Sequence, residues 1–284
     1  MSTQTRKTVL ITGSSSGFGK ATAALFLDRG WNVVATARRP APEGHLGPDT
    51  EHLLTCALDI TDPDSIQAAL RDALVRFGRL DCVVNNAGAG LFSVFESTPM
   101  ATVRALFETN VFGMMQVTQA ALPILAAQGS GCLITISSGA AIVPEPLLSV
   151  YSATKFAVEG FTESLRYEAA ARGVSVKLIE PGLVRRTNFL ARTAESAQAV
   201  PVAAGYETLV QQVIGAFEQD WPYRLATPQT VADVVVTAAV DDSTQLRYLV
   251  GEDVETSARM RRETSEKDYN DWALARAGAQ RLRT

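Results

Sequence analysis

The chain has 284 residues, 46% of them hydrophobic and 20% charged, with a net charge of −4. That supplies a substantial core for one large α/β domain or two small ones, and the acidic balance argues against a nucleic-acid partner. No signal-peptide pattern opens the chain and no apolar run reaches bilayer length, so the expectation is a soluble cytoplasmic protein with no membrane partner. Cys56, Cys82 and Cys132 lie far apart in apolar runs and read as buried reduced thiols. His45 and His52 sit in a polar loop without metal-ligand spacing, so no metal is expected.

An apolar run over residues 8–12 breaks into Gly13, Ser14, Ser15, Ser16, Gly17, Phe18 and Gly19, then into helix-patterned residues 20–28. A strand, a glycine turn and a helix in that order make a phosphate site. The glycines let backbone approach the phosphate, and the helix N-terminus offers free N–H groups. The next strand, residues 32–36, ends at Arg38 and Arg39. A fold that prefers NAD places an acid about twenty residues after the glycine turn, on the ribose 2′-hydroxyl. Two guanidinium groups there suit a 2′-phosphate instead, which favours NADP(H) over NAD(H).

Residues 53–58 read as a third strand, followed by Asp59 and Ile60. Asp62 and Pro63 open a helix that Gly78 closes. Residues 80–84 form a fourth strand running into Asn85, Asn86, Ala87 and Gly88. A long amphipathic helix is expected over 98–127, with Asn110, a poor helix former, near its middle. Residues 132–138 read as a buried strand ending at Ser138, and 151–171 as a helix that Gly173 stops. Tyr151 and Lys155 share one face of that helix, four residues apart. An ammonium beside a phenol favours the phenolate and lowers its pKa, giving a group able to exchange a proton with an alcohol or carbonyl oxygen. Ser138 is placed to hydrogen-bond the same oxygen.

Residues 175–179 form the sixth strand, left through Pro181 and Gly182. From 183 to 227 the pattern is irregular, with scattered aromatics, and reads as a substrate lid. Thr227 and Pro228 start another helix, 247–250 is a final strand, and 252–284 is a charged tail anchored by Trp272 and Leu274. Strands alternating with helices imply a Rossmann-type, doubly wound parallel sheet of about seven strands in one domain spanning 1–284.

With these pieces in order, residues 8–250 resemble a short-chain dehydrogenase/reductase of the compact single-domain type. The resemblance rests on the glycine turn, Asp59-Ile60, the Asn85-Asn-Ala-Gly88 run, Asn110, Ser138, Tyr151 with Lys155, and Pro181-Gly182. The wording around residues 108–113 and 179–182 looks most like the retinol and 17β-hydroxysteroid dehydrogenase-like branch. The resemblance implies hydride transfer between NADP(H) and a carbonyl or secondary alcohol, with Tyr151 as general acid/base. Lys155 would orient the nicotinamide ribose and tune the phenol, Ser138 would steady the oxyanion, and Asn110 would hold a relay water. Gly13, Ser15, Ser16, Gly17, Phe18 and Gly19 would meet the pyrophosphate, and Arg38 the 2′-phosphate with Arg39 as helper. Asp59 and Ile60 would flank adenine, while Asn86, Ala87, Gly88, Pro181 and Gly182 complete the cofactor cradle. The family usually sets a threonine four residues after the glycine of Pro-Gly; here Thr187 comes five after Gly182. A homodimer or homotetramer through the helices of 98–127 and 151–171 is also implied. The substrate expected is a small apolar carbonyl or alcohol. The alternatives are an NADPH sensor without turnover and a nicotinamide-dependent epimerase.

Overall fold

A computed structural model of the protein describes residues 6–40, 46–185, 188–198, 200–218 and 222–277. Expectations placed on residues 1–5, His45, Thr187, Trp221 and 278–284 lie outside the described residues. Among those described, the strands are β1 (Thr8–Ile11), β2 (Asn32–Ala37), β3 (Leu53–Ala57), β4 (Cys82–Asn85), β5 (Gly131–Ile136), β6 (Val174–Pro181) and β7 (Arg247–Val250). They form one sheet in the order β3-β2-β1-β4-β5-β6-β7, parallel throughout. The order reverses between β1 and β4, the place where such sheets open a ligand crevice beyond their strand ends.

Side-chain alternation along the strands divides the core into two layers. Leu10, Val34, Val83 and Leu133 pack on one face, while Val9, Val33, Val84 and Ile134 pack on the other. The first face is covered by α2 (Pro63–Phe77), α4 (Met114–Ala127) and α5 (Ser149–Ala170), the second by α1 (Gly17–Asp28) and α8 (Pro228–Val240). Each fully buried Leu, Ile or Val contributes roughly 1.5–3 kcal/mol relative to exposure. The helix ends follow their sequence signals. Asp62 caps α2 by accepting from the Asp64 N–H, Gly78 ends it at φ 73°, and Thr227 forms a capping box with Thr230.

Four expectations are corrected. The helix over 98–127 is α3 (Met100–Phe107), a π-helical turn (Glu108–Gly113) and α4, so Asn110 sits in a local widening. Ser138 lies two residues past β5, as the cap of a 3₁₀ turn, Gly139–Ala141. Residues 183–227 contain α6 (Asn188–Gln198) and α7 (Glu207–Glu218). The charged segment from Glu252 folds as α9 (Glu252–Glu263) and α10 (Glu266–Arg276). Its principal anchor is Tyr269, 5% exposed and packed with Val254, Ala258, Ile142 and Val143; Trp272 only joins that cluster's edge, and Leu274 lies outside it. Cys82 and Cys132 are buried, free and paired in register, whereas Cys56 is half-buried.

Candidate active site

The crevice at the strand ends is a cavity of about 1290 Å³. Its nucleotide end is built by the glycine turn. Gly13 at φ 68° lies so close to Ala87 that a Cβ would come within 2.9 Å of its Cα. Gly17 takes φ 54° at the start of α1, facing open space. Thr12 ties the turn to the strand beside it, its Oγ1 accepting from the N–H groups of Asn86 and Ala87, both at 3.0 Å. The Asn86 amide donates to the carbonyls of Thr12 and Gly13 at 2.8 and 3.0 Å. Gly13, Ser15, Ser16, Gly17, Phe18, Arg38, Asp59, Ile60, Asn86, Ala87 and Gly88 line the cavity, as do Pro181 and Gly182. Glycine-framed backbone at a helix N-terminus fits a dinucleotide pyrophosphate. Gly19 is different. A Cβ there would meet the Asn86 amide and the Gly13 carbonyl at 2.5 Å, so it lets α1 close on the turn from behind. Arg39 is likewise off the cavity wall. Asp59 is held below the usual carboxylate range by hydrogen bonds from Thr61 and by the Arg38 guanidinium.

Ser138, Tyr151 and Lys155 meet on the wall of the same cavity. Tyr151 and Lys155 are both 8% exposed. Burial pushes the Tyr151 phenol up to about 12, while a hydrogen bond with Ser138 pulls it back. The burial that raises the phenol lay outside the sequence reading, which weighed only the Lys155 ammonium. The ammonium donates to the Ile136 carbonyl at 3.0 Å and stands 5.8 Å from the centre of the Tyr151 ring. Burial brings Lys155 down to about 8, with Glu159 opposing. Asn110 is also buried, but off the wall. Its Oδ1 accepts from the Ala89 N–H at 2.8 Å, and its Nδ2 donates to the Ala89 carbonyl at 2.8 Å and to Thr154 Oγ1 at 3.1 Å. It therefore braces the 86–89 loop against α5.

Two further walls come from later segments, the first from the 183–227 stretch expected as a lid, the second from the charged segment, whose residues were not legible as part of a site. On one side α6 lies across Gly90, where a Cβ would come within 2.2 Å of Thr193 Oγ1 and 2.8 Å of Phe189. The Phe189 ring is 5.9 Å from that of Tyr151. Tyr206, ahead of α7, donates to Glu96 at 2.8 Å. On the other side α9 and α10 contribute Asp253, Val254, Ser257 and Arg276. Asp253, 3% exposed, accepts from the Leu183 N–H at 2.7 Å and lies over Gly182, where no Cβ fits. The helical spacing of Val254 with Ala258 and of Tyr269 with Trp272 and Ala273 was the available signal.

The chain matches the short chain dehydrogenase family over residues 7–198. It is 33% identical over 266 residues to the uncharacterized oxidoreductase YusZ of Bacillus subtilis, covering 90% of this chain and 93% of that one. A short-chain dehydrogenase from Streptomyces avermitilis has a similar solved structure, with a TM-score of 0.77, 29% identity, and coverage of 98% of this chain and 100% of the other. The closed form of serine dehydrogenase complexed with NADP+ is similar at a TM-score of 0.69 and 27% identity, covering 85% and 94%. A nucleotide crevice at the reversal of a parallel sheet, together with these matches, defines a nicotinamide-dependent oxidoreductase. The chain belongs to the short-chain dehydrogenase/reductase family.

Proposed function

We propose that the protein transfers hydride between NADP(H) and a carbonyl or secondary alcohol with a largely apolar body. The convergence of Ser138, Tyr151 and Lys155 on one wall of the nucleotide cavity carries this reading. Bound NADP(H) supplies or takes up the hydride. Tyr151 holds its proton through neutral pH, as a general acid for a forming alkoxide requires, and Ser138 offers a second hydrogen bond to the same oxygen. Lys155 is within the same buried patch, where a ribose hydroxyl would compete with the Ile136 carbonyl for its ammonium. Asn110 serves here as the brace of that wall, its side-chain amide being engaged by Ala89 and Thr154.

Arg38 on the cavity wall, with no acid at the end of β2, supports NADP(H) over NAD(H). The solved serine dehydrogenase with NADP+ is consistent with that preference. The residues around the π turn keep the retinol and 17β-hydroxysteroid dehydrogenase-like branch as the closer grouping in this reading. α6 and α7 act as the lid, α6 resting on Gly90 and Tyr151 while α7 lends Val210 and Ile214 to the cavity wall. Exposed Met100, Phe112, Phe156 and Tyr167 on α3, the π turn and α5 support a homodimer or homotetramer through these helices. Free thiols at Cys56, Cys82 and Cys132 support a cytoplasmic setting. The test is a panel of ketones, aldehydes, retinoids, steroids and quinones followed by loss of NADPH absorbance. Stoichiometric consumption supports the reading; binding without turnover, or recycling without net consumption, overturns it.

A further inference from the structure

The cavity wall carries a polar group that the proposed chemistry does not use. Glu145 lies in the loop six residues ahead of Tyr151, and Arg276 reaches it from α10, with Arg276 Nη2 2.7 Å from Glu145 Oε1. The other arm of the guanidinium, Nη1, donates to Ser257 Oγ on α9 at 2.6 Å, and its plane lies 5.4 Å from the centre of the Trp272 ring. The side chains of Arg276 and Glu145 are only 16% and 20% exposed. All three polar residues line the cavity that also holds Tyr151. The surrounding wall is apolar, formed by Val143, Leu147, Leu148 and Val254.

Charge at this pole is unbalanced. Arg276 pairs with Glu145, the buried Asp253 is near enough to act on the same carboxyl, and Glu145 is raised above its ordinary range by burial and by Asp253 although Arg276 opposes both. Each terminal nitrogen of Arg276 has a protein oxygen as partner, Nη2 on Glu145 and Nη1 on Ser257. A carboxylate has two oxygens with room for about four hydrogen bonds, and Glu145 uses one oxygen on Arg276. The remaining oxygen is an acceptor in a cavity that also has Val143, Leu147, Leu148 and Val254 on its wall. Arg38, Lys155, Arg185 and Arg192 are the other cations on the cavity wall, Arg38 beside the glycine turn's cofactor residues, Lys155 beside Tyr151 and the last two from the 183–198 side.

We propose that Glu145, held by Arg276 and Ser257, is the subsite for a hydrogen-bond-donating head group of the substrate, an ammonium or a hydroxyl. The substrate is then amphipathic: a carbonyl at Tyr151, an apolar stretch, and a donor at the far end. An anionic head group is disfavoured, because it meets the Glu145 and Asp253 carboxylates and would have to compete with Glu145 for Arg276. The inference rests on the reductase reading for its carbonyl, but the subsite itself is tested without turnover.

The probes are aliphatic methyl ketones of one chain length ending in methyl, hydroxyl, ammonium or carboxylate, and the matching secondary alcohols. Binding of the alcohols to the full chain with NADPH is followed by calorimetry, and turnover of the ketones by NADPH loss. The expected ranking in both assays puts ammonium and hydroxyl about tenfold or more ahead of methyl, with carboxylate last. In Glu145→Gln, which keeps an oxygen for Arg276, the ammonium-to-methyl ratio should fall about tenfold. Equal binding across the series overturns the subsite, and so does a carboxylate that binds best, which would put recognition on Arg185, Arg192 or Arg276. Head-group ranking in binding with no turnover of any ketone would overturn the reductase reading and leave the subsite standing.

Discussion

At the scale of single residues, the wall proposed for catalysis sets opposite demands on neighbouring groups. Tyr151→Phe keeps the ring against Phe189 and removes only the hydroxyl, so turnover should fall a hundred- to ten-thousandfold while NADPH affinity barely changes. Ser138→Ala should slow chemistry by roughly 2.7–4 kcal/mol if the serine acts as an oxyanion donor. Measuring turnover and NADPH affinity on both variants checks the pair, and near-wild-type turnover in Tyr151→Phe would remove the tyrosine from the mechanism. Because burial brings Lys155 to about 8, its ammonium is lost as pH rises through that value, and NADPH affinity should weaken between pH 7 and 9. Titrations of wild type and Lys155→Met test this: the variant should bind weakly and without that slope. Arg38→Ala should reduce the preference for NADPH over NADH about ten- to a hundredfold, the size of a charge-assisted phosphate contact of roughly 1.5–3 kcal/mol. Equal affinities for both cofactors in the wild type would count against Arg38.

Whole elements differ in how far the sequence disclosed them. The strands were legible because alternating burial requires apolar residues on both faces of a covered parallel sheet, as in Val9-Leu-Ile11 and Val33-Val34. Helix ends were legible wherever a cap carries the geometry, as at Asp62, Gly78 and Thr227. Tyr151, Lys155 and Ser138 were legible as a group, although the direction of the phenol's pKa was not, since spacing says nothing about burial. α6 and α7 were missed because their apolar residues face a cavity and solvent rather than a continuous core; Phe189 is 39% exposed and Ile214 46%. α9 and α10 were missed because few apolar anchors sit among charges, and their polar residues serve the site. Gly90→Ala tests the lid at this scale. Its Cβ would collide with Thr193, so α6 should lift, the segment around 188–198 should become more open to protease, and KM should rise more than kcat falls. Unchanged cleavage with unchanged KM would mean that α6 is a fixed part of the core. Gly19→Ala should behave as an overpacked site, losing about 1–3 kcal/mol of stability on thermal unfolding.

For the molecule as a whole, a buried acidic knot at the β6–β7 edge shapes stability against pH. Glu180 is fully buried on β6, with Arg247 3.1 Å away, and Arg247 also binds Glu159 and Glu163 on α5. Burial and the Glu159 carboxylate raise Glu180 from its ordinary 4.5 to about 8, against the pull of Arg262 and Arg247. Its folded pKa exceeds the unfolded one, so protonation favours the fold. That contribution is complete below about 4.5 and is lost as pH rises through about 8. Glu145, raised by burial, acts in the same direction. Melting temperature should therefore fall from pH 5 to pH 8, and Glu180→Gln should flatten the slope. A wild-type curve that rises across this interval would contradict the assignment.

The Arg276–Glu145 pair also has a consequence for the order in which the protein is made. Translation delivers the glycine turn first and Tyr151 near the midpoint, yet the residues that fasten the 145 loop and the Leu183 turn leave the ribosome only afterwards. Most of the sheet can assemble on the nascent chain while its reactive chamber still lacks one wall. A stalled chain ending at residue 250 should accordingly acquire β1 to β6 in protease-resistant form, yet hold the 145 loop open until α9 and α10 arrive.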